Sequence, residues 1–141
     1  MASASAKKIR PKYLSLPALL FEIRLPVPGW VSILHRISGV LMFVLLPLII
    51  WIFDTSVSSE ISAARLRMWF ATGATGVLLK LVSLALIWAY LHHFIAGLRH
   101  LWMDVSHKAV SKSFGATSAM VTLVASLLLT AVLGAKLFGL Y

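Results

Sequence analysis

Apolar positions along this chain gather into three long runs, each bounded by short polar breaks, and together they predict three membrane-spanning helices. The first extends from about Trp30 to Phe53 and is free of charge from Ile37 onward; its 24 residues are enough to cross a hydrocarbon core of roughly 30 Å. Pro47 falls inside this run. A proline there lacks an N–H and frees a carbonyl one turn back, so a kink is expected. The second run covers about Trp69 to Leu101, with Lys80 early and several histidines late. The third runs from Phe114 to about Phe138, has no charge before Lys136, and carries Ser and Ala positions suited to close helix packing. The polar, Ser- and Ala-rich stretch Asp54–Arg67 reads as a loop, and Asp104–Ser113 as a short basic connector.

Ahead of the first run, residues 1–29 form a basic arm with Lys7, Lys8, Arg10 and Lys12. Pro11, Pro17, Glu22, Arg24, Pro26 and Pro28 interrupt the apolar core that a signal peptide would need, so the arm reads as retained and irregular or interfacial. The division is therefore an arm at 1–29 followed by a three-helix unit at 30–141. No internal repeat is apparent.

Composition supports the membrane assignment. The 141 residues are 60% hydrophobic and 12% charged, against roughly 25% charged in a soluble domain. A chain with so little charge cannot cover a globular surface with polar groups. Its length leaves no sizeable domain outside the membrane, so an aqueous active site would have to come from another chain. The net charge of +9 flanks the apolar runs rather than striping a soluble face, which argues against nucleic acid as a partner. The chain has no cysteine, so disulfides, thiolate metal sites and covalent haem attachment are excluded; any haem would be held by His or Met.

The basic residues also predict orientation. Lys7, Lys8, Arg10, Lys12, Arg24, Arg36, Arg99, Lys108 and Lys112 fall on one side, and Arg65, Arg67, Lys80 and Lys136 on the other. Nine against four places the N-terminus in the cytoplasm and the C-terminus across the membrane. His35, Arg36, His93 and His100 then share the cytoplasmic half.

Those residues carry the candidate chemistry. Ionisable side chains within a span are expensive and point to function. His93, Gly97 and His100 are spaced i, i+4 and i+7, one helical stripe with a missing side chain in its middle, which suits a flat macrocycle such as haem. Asp104 continues the stripe. In the first span Ser32, Arg36 and Gly39 form a similar stripe with His35 beside it. Packed antiparallel, the two helices would bring both stripes together near the cytoplasmic interface. Arginine is well matched to a haem propionate or a quinone carbonyl, because its fork stays charged and donates several bonds.

The segment Ser32-Ile33-Leu34-His35-Arg36-Ile37-Ser38-Gly39, followed by His93-x3-Gly97-x-Arg99-His100-x3-Asp104, resembles the cytochrome b556 (large anchor) subunits of succinate dehydrogenase, respiratory complex II. Arg10-Pro11-x2-Leu14 also fits that family's entry to the membrane, and the likeness covers about Arg10 to Tyr141. The resemblance implies a membrane anchor subunit of succinate:quinone oxidoreductase in a bacterial inner membrane, non-catalytic alone, with its C-terminus periplasmic. It implies three partners: a second, smaller anchor subunit, an iron–sulfur subunit and a flavoprotein. It further implies a b-type haem shared with the second anchor, His93 as an axial iron ligand, His35 and Arg36 at haem propionates, and Ser32 and Arg36 facing ubiquinone. The Gly97-x-Arg99-His100 register selects His93 over the adjacent His92.

Plainer readings stand beside these. His92 points about 100° away from the stripe and is read as an interhelical hydrogen bond or a lipid-facing residue. His100 either meets a propionate or is solvated at the interface. Arg36 could snorkel, and Ser32 could bond its own backbone. Arg99 and Asp104 read as a local ion pair that fixes the helix end, with Asp104 as a proton relay to a quinone the alternative. Trp30, Trp51, Trp69 and Trp102 suit interfacial anchoring, and Met42 and Met103 suit packing. A haem-free structural anchor of the same architecture is the alternative function. A proton or ion conductor is disfavoured, because spans one and three carry no charge through their middles.

Overall fold

The computed structural model describes residues 25–71 and 73–141. The basic residues of the arm from Lys7 to Arg24 lie outside the described residues. Five α-helices follow in order: α1 Val27–Val44, α2 Leu46–Ser58, α3 Glu60–Ala71, α4 Gly73–Val105 and α5 Lys112–Leu137, with a short 3-10 turn at His107–Val110 between the last two. The described residues contain no strand. Three helices, α1, α4 and α5, are long and apolar enough to cross a membrane, and the protein is an all-α, multi-pass membrane protein.

α1 begins at Val27, three residues before Trp30, because Pro28 sits in the first turn, where the missing N–H has no helical partner to lose. The kink expected at Pro47 takes the form of a one-residue interruption. α1 stops at Val44, Leu45 takes φ −90° and ψ 4°, and α2 restarts at Leu46 with Pro47 in its own first turn. The proline ring would clash with the carbonyl of Phe43 in a continuous helix. The first apolar run is thus shared between two rods rather than forming one.

The stretch expected as a loop, Asp54–Arg67, is helical. α2 continues to Ser58, and α3 starts one residue later. Ser59 supplies the stop and the start together. It is extended (φ −164°, ψ 162°), its hydroxyl accepts from the Ser62 N–H at 3.1 Å, and Ser62 Oγ accepts from the Ser59 N–H at 3.1 Å. This is a capping box with Ser where Glu is usual. Glu60 in the first turn complements the positive end of α3. Trp51 of α2 stacks on Trp69 of α3 with centroids 5.5 Å apart. Gly73, at φ +57°, makes the left-handed turn that leads into α4.

α4 is the spine of the bundle. α1 packs antiparallel on its C-terminal half, and α5 packs antiparallel along its length. The three meet at a fully buried cluster of Val31, Ala96 and Ala119. Along α5, Ala119, Thr122, Ser126, Thr130 and Gly134 face inward at spacings of three and four, a small-residue seam that lets α4 approach closely. Large apolar side chains such as Val40, Phe43, Leu101 and Leu128 face outward, as expected where lipid or another chain is the solvent. Lys80 places its ammonium 5.7 Å from the centre of the Phe138 ring at the other end of the α4–α5 pair.

Candidate functional site

The antiparallel pairing of α1 and α4 brings His35, His93 and His100 together. The His35 and His93 rings lie 4.1 Å apart, centroid to centroid, and the His35 and His100 rings 5.3 Å apart. The row runs from a half-buried His93 to an exposed His100. Arg36 and Ser32 are on the same part of α1, so the two sequence stripes do converge on one end of the bundle.

His93 is held by the backbone of α1. Its Nδ1 lies 3.0 Å from the His35 carbonyl oxygen and 3.3 Å from Ser38 Oγ. A carbonyl can only accept, and the Ser38 hydroxyl already donates to that same carbonyl at 2.8 Å. Nδ1 is therefore the protonated nitrogen and donates to both oxygens. In a neutral imidazole this leaves the Nε2 lone pair free, the tautomer that a metal ligand requires.

The close approach depends on Gly39. A Cβ there would lie 3.0 Å from His93 Cε1 and 3.3 Å from Nδ1, closer than carbon atoms ordinarily pack. Ser38 and Gly39 both belong to the motif, yet nothing in their spacing alone assigns them to His93; the supporting hydrogen bond was legible only after the helices were paired. Gly97, whose missing side chain suggested space for a macrocycle, faces the His35 ring. A Cβ at Gly97 would sit 3.8 Å from His35 Nε2, an ordinary contact. That Nε2 is buried and makes no hydrogen bond among the described residues.

Arg36 is exposed, and its Nε donates to the Ser32 carbonyl one turn back at 3.3 Å. Ser32 is half-buried and meets Arg36 through its backbone. Arg36, Ile37, Val40, Leu41, Val44 and Leu45 line an almost wholly apolar groove of about 500 Å³. Met42 lines a separate apolar crevice with Tyr90 and Leu86, consistent with packing.

Arg99 does not pair with Asp104. Five residues along a helix place Asp104 about 140° around the axis, and the guanidinium turns to α5 instead, with Nε donating to Ser118 Oγ at 2.9 Å and Nη2 to the Gly115 carbonyl at 3.2 Å. Asp104 is exposed. Of the two readings of His92, the interhelical bond is the one found. The residue is fully buried, stacks on Trp88 at 5.5 Å, and has Nδ1 3.2 Å from Ser126 Oγ.

The histidine row thus lies at one end of the α1–α4 pair, with the groove lined by Arg36 on the same stretch of α1. Residues 8–133 match the family described as the succinate dehydrogenase/fumarate reductase transmembrane subunit. That match extends over nearly the whole chain and takes in every site residue discussed above, and the chain belongs to this family of transmembrane subunits.

Proposed function

We propose that this chain anchors a succinate:quinone oxidoreductase in a bacterial inner membrane, supplies one axial ligand to a b-type haem, and forms part of the site where ubiquinone is reduced. The observation that carries this reading is the hydrogen bond from His93 Nδ1 to the His35 carbonyl, which orients the imidazole and frees Nε2. The residues present fit the group. His93 would ligate iron through Nε2, with the opposite ligand from a second, smaller anchor subunit. His35, whose buried Nε2 makes no hydrogen bond among the described residues, would meet a propionate together with Arg36 and His100. Bound in this way, haem would supply one-electron redox chemistry in a low-dielectric setting.

Electrons would come from succinate, oxidised to fumarate on a flavoprotein subunit, and travel through an iron–sulfur subunit. Ubiquinone takes up two electrons and two protons and leaves as ubiquinol. Arg36 would donate hydrogen bonds to the quinone oxygen as negative charge develops there, a preorganised contact that strengthens as the reaction proceeds. The Ser32 hydroxyl would bond the same headgroup. The groove below Arg36 offers an apolar surface to the rest of the quinone. With the arm and the Asp104–Ser113 connector in the cytoplasm, all of this lies on the side from which soluble subunits deliver electrons.

Arg36→Ala, introduced into the intact complex, should lower the rate of ubiquinone reduction by roughly 10²-fold while leaving succinate oxidation with an artificial dye unchanged. Equal loss of both activities would defeat the quinone role. A reduced-minus-oxidised spectrum of the wild-type complex should show a b-type signal that His93→Ala abolishes; no signal, or one untouched by that change, would defeat the haem role.

A further inference from the structure

His92 is the largest fully buried side chain among the described residues, and the reading above gives it no part. Its hydrogen bonding is lopsided. His92 Nδ1 lies 3.2 Å from Ser126 Oγ, whose hydroxyl also lies 3.0 Å from the Leu123 carbonyl. Nε2 is buried and makes no well-formed hydrogen bond among the described residues, although the Val31 backbone of α1 lies near the ring. An unsatisfied buried nitrogen is a poor way to stabilise a helix seam, and an apolar side chain of similar volume would seal it at lower cost. What the imidazole does provide is a direction.

His92 bonds α5 and the next residue, His93, bonds α1. Consecutive helical residues point about 100° apart, so the two bonds fix α4 against rotation from two sides. Trp88, one turn before His92, stacks on its ring and holds its plane. A ring nitrogen lies roughly 6 Å from the helix axis, so a 10° roll of α4 would carry His93 Nε2 by about 1 Å. Arg99 also ties α4 to α5, but two turns further along; the His92 bond acts on α4 directly beside His93.

We propose that His92 is a positioning residue: its bond to Ser126 sets the rotation of α4 and thereby the bearing of the adjacent His93 imidazole toward the haem iron. The proposal rests on the haem reading of His93. It requires no contact between His92 and the haem.

The test uses the whole complex, purified with its partner subunits, and reads the low-spin ferric signal by electron paramagnetic resonance and the rate of haem loss to an excess of apomyoglobin. Ser126→Ala and His92→Leu should each alter the ferric signal and speed haem loss about 10-fold, the size expected when an outer partner of a metal ligand is removed. His92→Asn, whose amide can bond Ser126 from nearly the Nδ1 position, should restore both readouts. Thr122→Ala thins the same α4–α5 seam one turn away without touching the bond, and should leave both unchanged. If His92→Leu fails to assemble, Ser126→Ala carries the test. An unaltered signal and haem-loss rate in Ser126→Ala would overturn the proposal, as would an equal change in Thr122→Ala. A wild-type complex without b-type haem would overturn it together with the haem reading, whereas a haem-bearing complex indifferent to Ser126 would overturn the positioning role alone.

Discussion

Replacing Gly39 by alanine separates what stabilises the helix pair from what orients His93. The added Cβ would lie 3.0 Å from His93 Cε1 and 3.3 Å from its Nδ1. Carbon atoms pack comfortably from about 3.5 Å, so the ring must retreat by about 0.5 Å from α1. The hydrogen bond to the His35 carbonyl, now 3.0 Å, would stretch to about 3.5 Å and cease to count as one. Its loss costs about 1 kcal/mol. Alanine in place of glycine inside a helix returns about 1 kcal/mol through backbone entropy. The two nearly cancel, so the melting temperature of the complex should hardly move. The imidazole has nonetheless lost its orienting partner, and haem affinity should fall about 10-fold or more. Haem per flavin in the purified complex, measured by pyridine haemochrome, and the rate of haem transfer to apomyoglobin report this directly. Unchanged haem content and transfer rate in Gly39→Ala would refute the link between the glycine, the carbonyl bond and the ligand.

Gly97→Ala offers a contrast. Its Cβ would make only an ordinary contact, 3.8 Å from His35 Nε2, so the helix pair itself should accept it; haem loss in this variant would show that the macrocycle needs that space, and full retention would show that it does not. Arg99→Lys keeps the charge but loses the fork that reaches both Ser118 and Gly115, and should lower the stability of the detergent-solubilised complex by about 1 kcal/mol; an unchanged melting temperature would count against this crosslink. Ser59→Ala removes the cap of α3 and should cost about 1 kcal/mol, seen as faster hydrogen exchange confined to the α2–α3 hairpin, with the haem spectrum left intact.

The parts of the architecture readable in advance were those dominated by a single physical term. Three apolar runs longer than a hydrocarbon core dictate spans wherever they occur, and the spacing of His93, Gly97 and His100 dictates a shared face. The α2–α3 hairpin escaped because its cue is local cap chemistry: Ser59 and Ser62 read as loop composition until their reciprocal bonds are seen. The Pro47 effect was visible in kind but not in degree, since a sequence shows that a proline interrupts the bonding and not where the chain resumes. At the site, sequence proximity pairs Arg99 with Asp104, whereas its partners, Gly115 and Ser118, come from a different helix. The support that Ser38, Gly39 and the His35 carbonyl give to His93 is tertiary in the same sense, and no one-dimensional spacing encodes it.

The interruption at Leu45 divides the molecule mechanically. On the arm side of Leu45, α1 packs on α4 and α5 around the histidine row; beyond it, α2 packs chiefly on α3. A membrane a few ångströms thicker or thinner can then be accommodated by tilting the short hairpin, at a cost of only fractions of a kcal/mol per ångström. The histidine row at the far end of α1 need not register the adjustment, so its geometry can stay constant while lipid composition changes around it.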